Sequence, residues 1–172
     1  DGLLEYLGDG EERGIDDPDE YPTVAGKGRV WFDVGEATVP PLILAKEYWR
    51  DARVLRNSAG VALDQRNYAV TPDDGVDETL LLGVLNASLT ALVRGREGRE
   101  QQGQGMNRNE LTVTGAEAMH VPDVRQFSGR DRERVRAATE RLLDRERAAD
   151  EAEADRLQRE LDRAVLAAVG AA

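Results

Sequence analysis

A chain of 172 residues with 34 acidic and 23 basic side chains, one histidine and no cysteine is long enough to bury a core, and suits one domain or one domain with an appended helical piece. The missing cysteines exclude disulfides, thiolate nucleophiles and thiolate metal sites, and no apolar run approaches the roughly 20 residues of a membrane span. The chain therefore reads as soluble and cytoplasmic and, starting at Asp1 with no signal peptide, as cut from a longer protein.

Residues 8 to 22, GDGEERGIDDPDEYP, are glycine, proline and acid and read as a surface loop. Between 28 and 41, RVWFDVGEATVP suits a strand closed by Pro40 and Pro41, which cannot continue a ladder. Leu42 to Ala45 restart an apolar strand. Arg53 to Arg56 and Ala59 to Leu63 flank a turn at Asn57, Ser58 and Gly60, and Tyr68 to Val70 form a short strand before the turn signal TPDDG.

Residues 77 to 94 change period. Asp77 can cap, Glu78 suits a first turn, and Leu81, Leu82, Leu85, Leu89, Leu92 and Val93 recur at helical spacing until Gly95 and Gly98. The following GREGREQQGQGMNRN has almost no grease and cannot be core. ELTVTG then reads as a strand, Ala116 to Met119 as a turn of helix, and HVPDV as an extended segment stiffened by Pro122. From Gly129 to Gly170 no other glycine or proline occurs. Val135, Ala138, Leu142 and Leu143, then Leu157, Leu161, Val165, Ala168 and Val169, mark two stripes that predict two helices packed antiparallel. The expected fold class is α+β: a small mixed or antiparallel sheet with the 77 to 94 helix packed on it, followed by a C-terminal helical pair.

Nearly every cation is arginine, since only Lys27 and Lys46 are lysine. Acidity with arginine in place of lysine resembles the proteomes of salt-loving archaea, whose hydrated carboxylates keep proteins dissolved in concentrated salt. Residues 1 to 39 hold eleven acids and three bases, a net of −8, and residues 71 to 85 hold four acids and no base. By contrast, 45 to 70 hold five bases and three acids, a net of +2, and 86 to 113 hold four arginines and three glutamates, a net of +1. On a carboxylate-coated protein, the segments that forgo carboxylate are candidate contacts for a polyanion.

Reactive side chains are sparse. His120 is the lone histidine and reads as a structural ring beside Pro122, so a metal site is not expected. Ser58, Ser88 and Ser128 sit in no nucleophile-elbow pattern, and Ser88 within a helix suits a bond to its own backbone. The glycine pairs Gly26 with Gly28 and Gly103 with Gly105 lack the spacing of a nucleotide loop. Trp31, Tyr48, Trp49 and Tyr68 could stack on bases, although aromatics on strands more often serve the core.

The series PPLILAKEYWRD, QRNYAVTP, DETLLLGVLNASLTALV, a glycine-rich polar gap and NELTVTGAEAMHVPDV resembles the C-terminal target-recognition region of TaqI-like adenine-N6 DNA methyltransferases, also found in fused restriction-modification enzymes. Asn67 and Tyr68 match that family's Asn-aromatic pair. Leu85, Asn86, Ala87, Ser88 and Leu89 match its Leu-Asn-Ser-Ser-Leu helix end, with Ala87 for a serine. Met119, His120, Val121 and Pro122 take the place of its closing proline motif, without the leucine. RELDRAVLAAVG resembles the helix with which many of these proteins end, so the likeness covers about residues 29 to 172.

Composition makes 1–28 an acidic surface segment, and the resemblance implies a target-recognition domain over 29–128 and a helical region over 129–172. It implies a partner, double-stranded DNA, and a second, the N-terminal methyltransferase domain of the same protein. No [ND]-P-P-[YF] and no cofactor glycine motif occurs here, so S-adenosylmethionine is expected on that other domain, with no cofactor and no catalytic residue in this chain. Asn86 and Ser88 would cap and seat the helix against the sheet, and the segment after it would lie on DNA. Its expected contacts are Arg94, Arg96, Arg99, Gln101, Gln102, Gln104, Asn107 and Arg108, with Arg50, Arg53, Arg56 and Arg66 as a second set. Glycines let amides approach phosphate, glutamine and asparagine pair with adenine edges, and arginine forks onto guanine. The competing expectation is a protein-interaction module in which the helical pair joins subunits.

Overall fold

A computed structural model describes residues 2–15, 17, 19–21, 36–48, 53–101, 108–145 and 151–171. The chain divides into two units, Asp1–Ala37 and Thr38–Ala172.

In the first unit, α1 spans Gly2–Glu12. The acidic 8 to 22 segment is thus helical in its first third, where a loop was expected. Leu3, Leu4 and Leu7 fall at helical spacing and carry the turns through Gly8 and Gly10. Most of the strand expected over 28 to 41 lies outside the described residues.

The second unit is α+β. β1 (Leu42–Ala45) is the centre of an antiparallel sheet in the order β3-β1-β4, with β3 at Val54–Arg56 and β4 at Asn67–Val70. Leu42 and Leu44 point inward while Ile43 and Ala45 are half-exposed, the period of two that a one-sided sheet requires. The 59 to 63 segment is not a strand. Gly60 takes φ of 62°, and the Asn57 side chain holds the loop by exchanging hydrogen bonds with the Val61 backbone at 2.9 Å. A second antiparallel sheet runs β2-β6-β5, from Glu47–Tyr48, Arg108–Glu110 and Arg99–Gln101. In its register Glu110 lies between Glu47 and Arg99.

The apolar run at 77 to 94 forms two helices, α2 (Glu78–Asn86) and α3 (Ser88–Glu97). Asp77 caps the first by accepting from the Leu80 N–H at 2.9 Å. α2 is buried on both sides, which explains its density of leucine. Leu80 and Val84 enter a helical core with Val135, Leu142, Leu157, Leu161 and Val165, while Leu82 and Leu85 enter the sheet core with Leu42, Leu44, Val54 and Leu111. Gly83 sits where α2 meets α5 (Gly129–Arg145): a Cβ there would lie 2.1 Å from Thr139 Oγ1.

ELTVTG does not form a strand. The strand β6 ends at Glu110, the buried Leu111 still donates its N–H to the Lys46 carbonyl at 2.8 Å, and Thr112 caps α4 (Val113–Glu117) by accepting from the Gly115 N–H at 3.0 Å. A 3-10 turn over Val124–Gln126 leads into α5 and then α6 (Glu151–Ala168). These last two helices pack on each other, sharing a core of Val135, Leu142, Leu157, Leu161 and Val165, and Arg141 pairs with Glu160 across them. Among the described residues no helix is long and apolar enough to cross a membrane, and no group of three His, Cys, Asp or Glu could hold a metal ion.

Candidate nucleic-acid interface

The break between α2 and α3 at Asn-Ala-Ser is held on every side. The last carbonyls of a helix run short of helical partners, and three at the end of α2 receive side-chain donors, Val84 in addition to the Ala87 N–H at 3.3 Å. Thr90 Oγ1 donates to the Val84 carbonyl at 2.6 Å, Arg94 Nη2 to Leu85 at 2.8 Å and Gln158 Nε2 to Asn86 at 3.1 Å. The Asn86 amide pairs with β3 as another strand would, accepting from the Val54 N–H and donating to its carbonyl, both at 2.9 Å. Ala87 brings no side-chain cap to α3. Asp162 of α6 serves instead, accepting from the Ser88 N–H and from Ser88 Oγ, both at 2.8 Å. The resemblance led to the expectation that these two residues seat the helix. Asn86 does so on β3, whereas Ser88 is tied not to the sheet but to a carboxylate of α6, 74 positions away, and not to its own backbone.

α3 delivers the chain to the β5–β6 hairpin, and the root of that hairpin is tightly fitted. The Arg94 carbonyl accepts from the Gly98 N–H at 2.9 Å and from Tyr48 Oη at 3.2 Å. A Cβ on Gly98 would come 2.8 Å from that hydroxyl, and one on Gly115 of α4 would come 2.8 Å from the Glu97 carbonyl. Both glycines permit close approach, not unusual torsion. Burial raises the Tyr48 pKa, with the Arg94 charge acting in the opposite sense. Tyr68 Oη donates to the Leu111 carbonyl at 2.9 Å, and Lys46 Nζ stands 4.8 Å over its ring. Trp31 and Trp49 lie outside the described residues.

The expected contact residues separate clearly. Arg94 is 1% exposed; its guanidinium caps α2, where a cation also suits the helix dipole. It is therefore corrected from a DNA contact to an internal brace. Burial lowers its pKa, and Tyr48 works against that, but a guanidinium stays charged. Arg56 is half-buried and engaged: Nε meets Glu78 at 3.1 Å and Nη2 donates to Thr79 Oγ1 at 2.7 Å, tying β3 to the first turn of α2. Arg53 is half-buried in a cleft of about 220 Å³ beside Tyr48, Asn86 and Gln158.

Arg96 and Arg99, with side chains 70% and 69% exposed, stand at the end of α3 and the start of β5. Their ion pairs to Glu97 at 2.7 Å and Glu110 at 3.5 Å are surface pairs of the kind worth little in water. Arg66, 73% exposed, lies 3.8 Å from Glu47, which neighbours Glu110 in the sheet register. Gln101 and Arg108 are register partners on β5 and β6. Gln102, Gln104, Asn107 and Arg50 lie outside the described residues. His120 is exposed, with Nδ1 2.9 Å from the Ala118 carbonyl.

Sequence reasoning missed Thr90, Gln158 and Asp162. The last two sit among many charged residues of a helical face, where nothing in the spacing distinguishes a capping carboxylate from a solvated one. Comparison with protein-family models, curated proteins and solved structures found no match.

Proposed function

We propose that the unit Thr38–Ala172 reads double-stranded DNA sequence-specifically for an adenine-N6 DNA methyltransferase, whose methyl donor and catalytic groups belong to another domain. The observation that carries this reading is the exposure of Arg96 and Arg99 at the root of the β5–β6 hairpin, in a protein of net charge −11. β5 is the edge strand of the β2-β6-β5 sheet, and weakly paired guanidinium groups there can exchange a carboxylate for a phosphate at small cost. The braced junction behind them supplies the rigid footing that base reading needs. Most of the apolar stripes that a subunit-joining role would use are occupied: Val135, Leu142, Leu157, Leu161 and Val165 are buried within this unit, while Val169 stays exposed.

The reading is tested by titrating a fluorescein-labelled 30-base-pair duplex pool with the chain over a series of salt concentrations. Log affinity falls linearly with log salt, and the double variant Arg96→Ala, Arg99→Ala flattens the slope by about 0.9 for each phosphate contact removed. Binding that ignores both salt and these two arginines overturns it.

A further inference from the structure

We infer that Asp162 and Gln158 of the C-terminal helix are positioning residues for the β5–β6 hairpin, acting through Ser88 at the start of α3. This inference rests on the DNA-reading role of the hairpin.

α3 lacks a side-chain cap from its own flank, and its first turn is held by Asp162 alone among the capping groups described. Both carboxylate oxygens are committed, one to the Ser88 N–H and one to its hydroxyl, at 2.8 Å. Gln158 fixes the carboxylate in turn, since its amide nitrogen lies 3.1 Å from Asp162 Oδ1 and from the Asn86 carbonyl. A charged acceptor at a helix N-terminus also meets the positive end of the helix dipole. α6 therefore grips both sides of the break, at residue 86 and at residue 88. The far end of α3 carries Gly98 and β5 with little slack, because Tyr48 and Gly115 close on it. A rotation at Ser88 is transmitted along ten helical residues to Arg96 and Arg99.

The inference is tested in the full chain with Ser88→Ala, Ser88→Thr, Asp162→Ala and the double variant Ser88→Ala, Asp162→Ala. Amide exchange is followed by mass spectrometry, and duplex discrimination is read by selection from a pool with a randomised centre. In Asp162→Ala, which removes both charge-assisted bonds to Ser88, exchange in α3 and at Gly98 quickens by at least roughly tenfold, while β1, β3 and β4 exchange as before. Ser88→Ala gives a smaller change, Ser88→Thr restores the wild-type rate, and the double variant is no worse than Asp162→Ala. Enrichment of selected over random duplex falls in Asp162→Ala, but affinity for the unselected pool stays within twofold.

Unchanged exchange in α3 in Asp162→Ala overturns the inference, as does an equal quickening across the whole unit. A wild-type chain that enriches no duplex removes the DNA-reading role, and the exchange rates then still decide whether Asp162 sets the hairpin.

Discussion

Asn86 bridges a helix end and a strand edge, and an alanine there leaves the Val54 N–H and carbonyl without their partners. Asn86→Ala is expected to lower stability by about 2 kcal/mol in urea unfolding, the sum of two such bonds with one buried strand left unsatisfied. Arg94 and Arg96, two residues apart, should behave as opposites. Arg94→Ala removes a buried brace and is expected to cost roughly 2–4 kcal/mol. Arg96→Ala is expected to leave unfolding within about 0.5 kcal/mol while weakening duplex binding. Asp77 carries a pH dependence. Burial alone would raise its carboxyl, but Arg136 at 2.6 Å and the Leu80 N–H outweigh that and hold it below the usual 3.8. Its contribution to stability is therefore complete above 3.8 and is lost as the pH falls through the depressed folded value. Asp77→Asn keeps an adequate cap but loses this titration, so its stability should change less than wild type between about pH 5 and about pH 2. Parallel curves would show that Asp77 does not titrate as described.

At the level of elements, the crossing of α2 and α5 depends on the missing side chain of Gly83. Gly83→Ala places a methyl 2.1 Å from Thr139 Oγ1 and is expected to cost about 1–3 kcal/mol by overpacking. Adding Thr139→Ala should recover part of it, because the next neighbours, Val135 Cγ1 and Leu161 Cδ1, are at 3.3 and 3.4 Å. If the double variant is less stable than Gly83→Ala by the full cost of losing threonine, the contact is not the cause. Elements with a strong period were legible in the sequence: β1 and β4, the helical run from Asp77, and the C-terminal pair. The break at Ala87 was not, because periodicity continues through it and the bonds that hold it come from β3 and α6. ELTVTG misled since Leu111 and Val113 alternate as in a strand, whereas Thr112 offers a cap that the local backbone takes. Charge and glycine content marked out a candidate segment, but they could not separate the exposed Arg96 and Arg99 from the buried Arg94. Facing inward or outward is decided by orphan carbonyls and carboxylates elsewhere in the chain.

Across the whole molecule, a net charge of −11 means that the folded state concentrates its own repulsion. Raising salt from about 0.1 M to about 1 M shortens the Debye length from about 10 Å to about 3 Å. The thermal midpoint is therefore expected to rise over that range; a fall would mean that the surface pairs, such as Arg156 with Glu153, outweigh the repulsion. Screening would weaken the proposed duplex contacts in the same solution, so optimum stability and optimum binding should fall at different salt concentrations. The bond between Ser88 and Asp162 also has a consequence for synthesis. At roughly 5–20 residues per second, a ribosome needs about 4 to 15 seconds to deliver the 74 positions that separate the two. For that interval a nascent chain carries its arginine ribbon without the carboxylate that aims it. Polysomes stalled before residue 162 should therefore show protease cleavage near residue 87 that later-stalled ones resist.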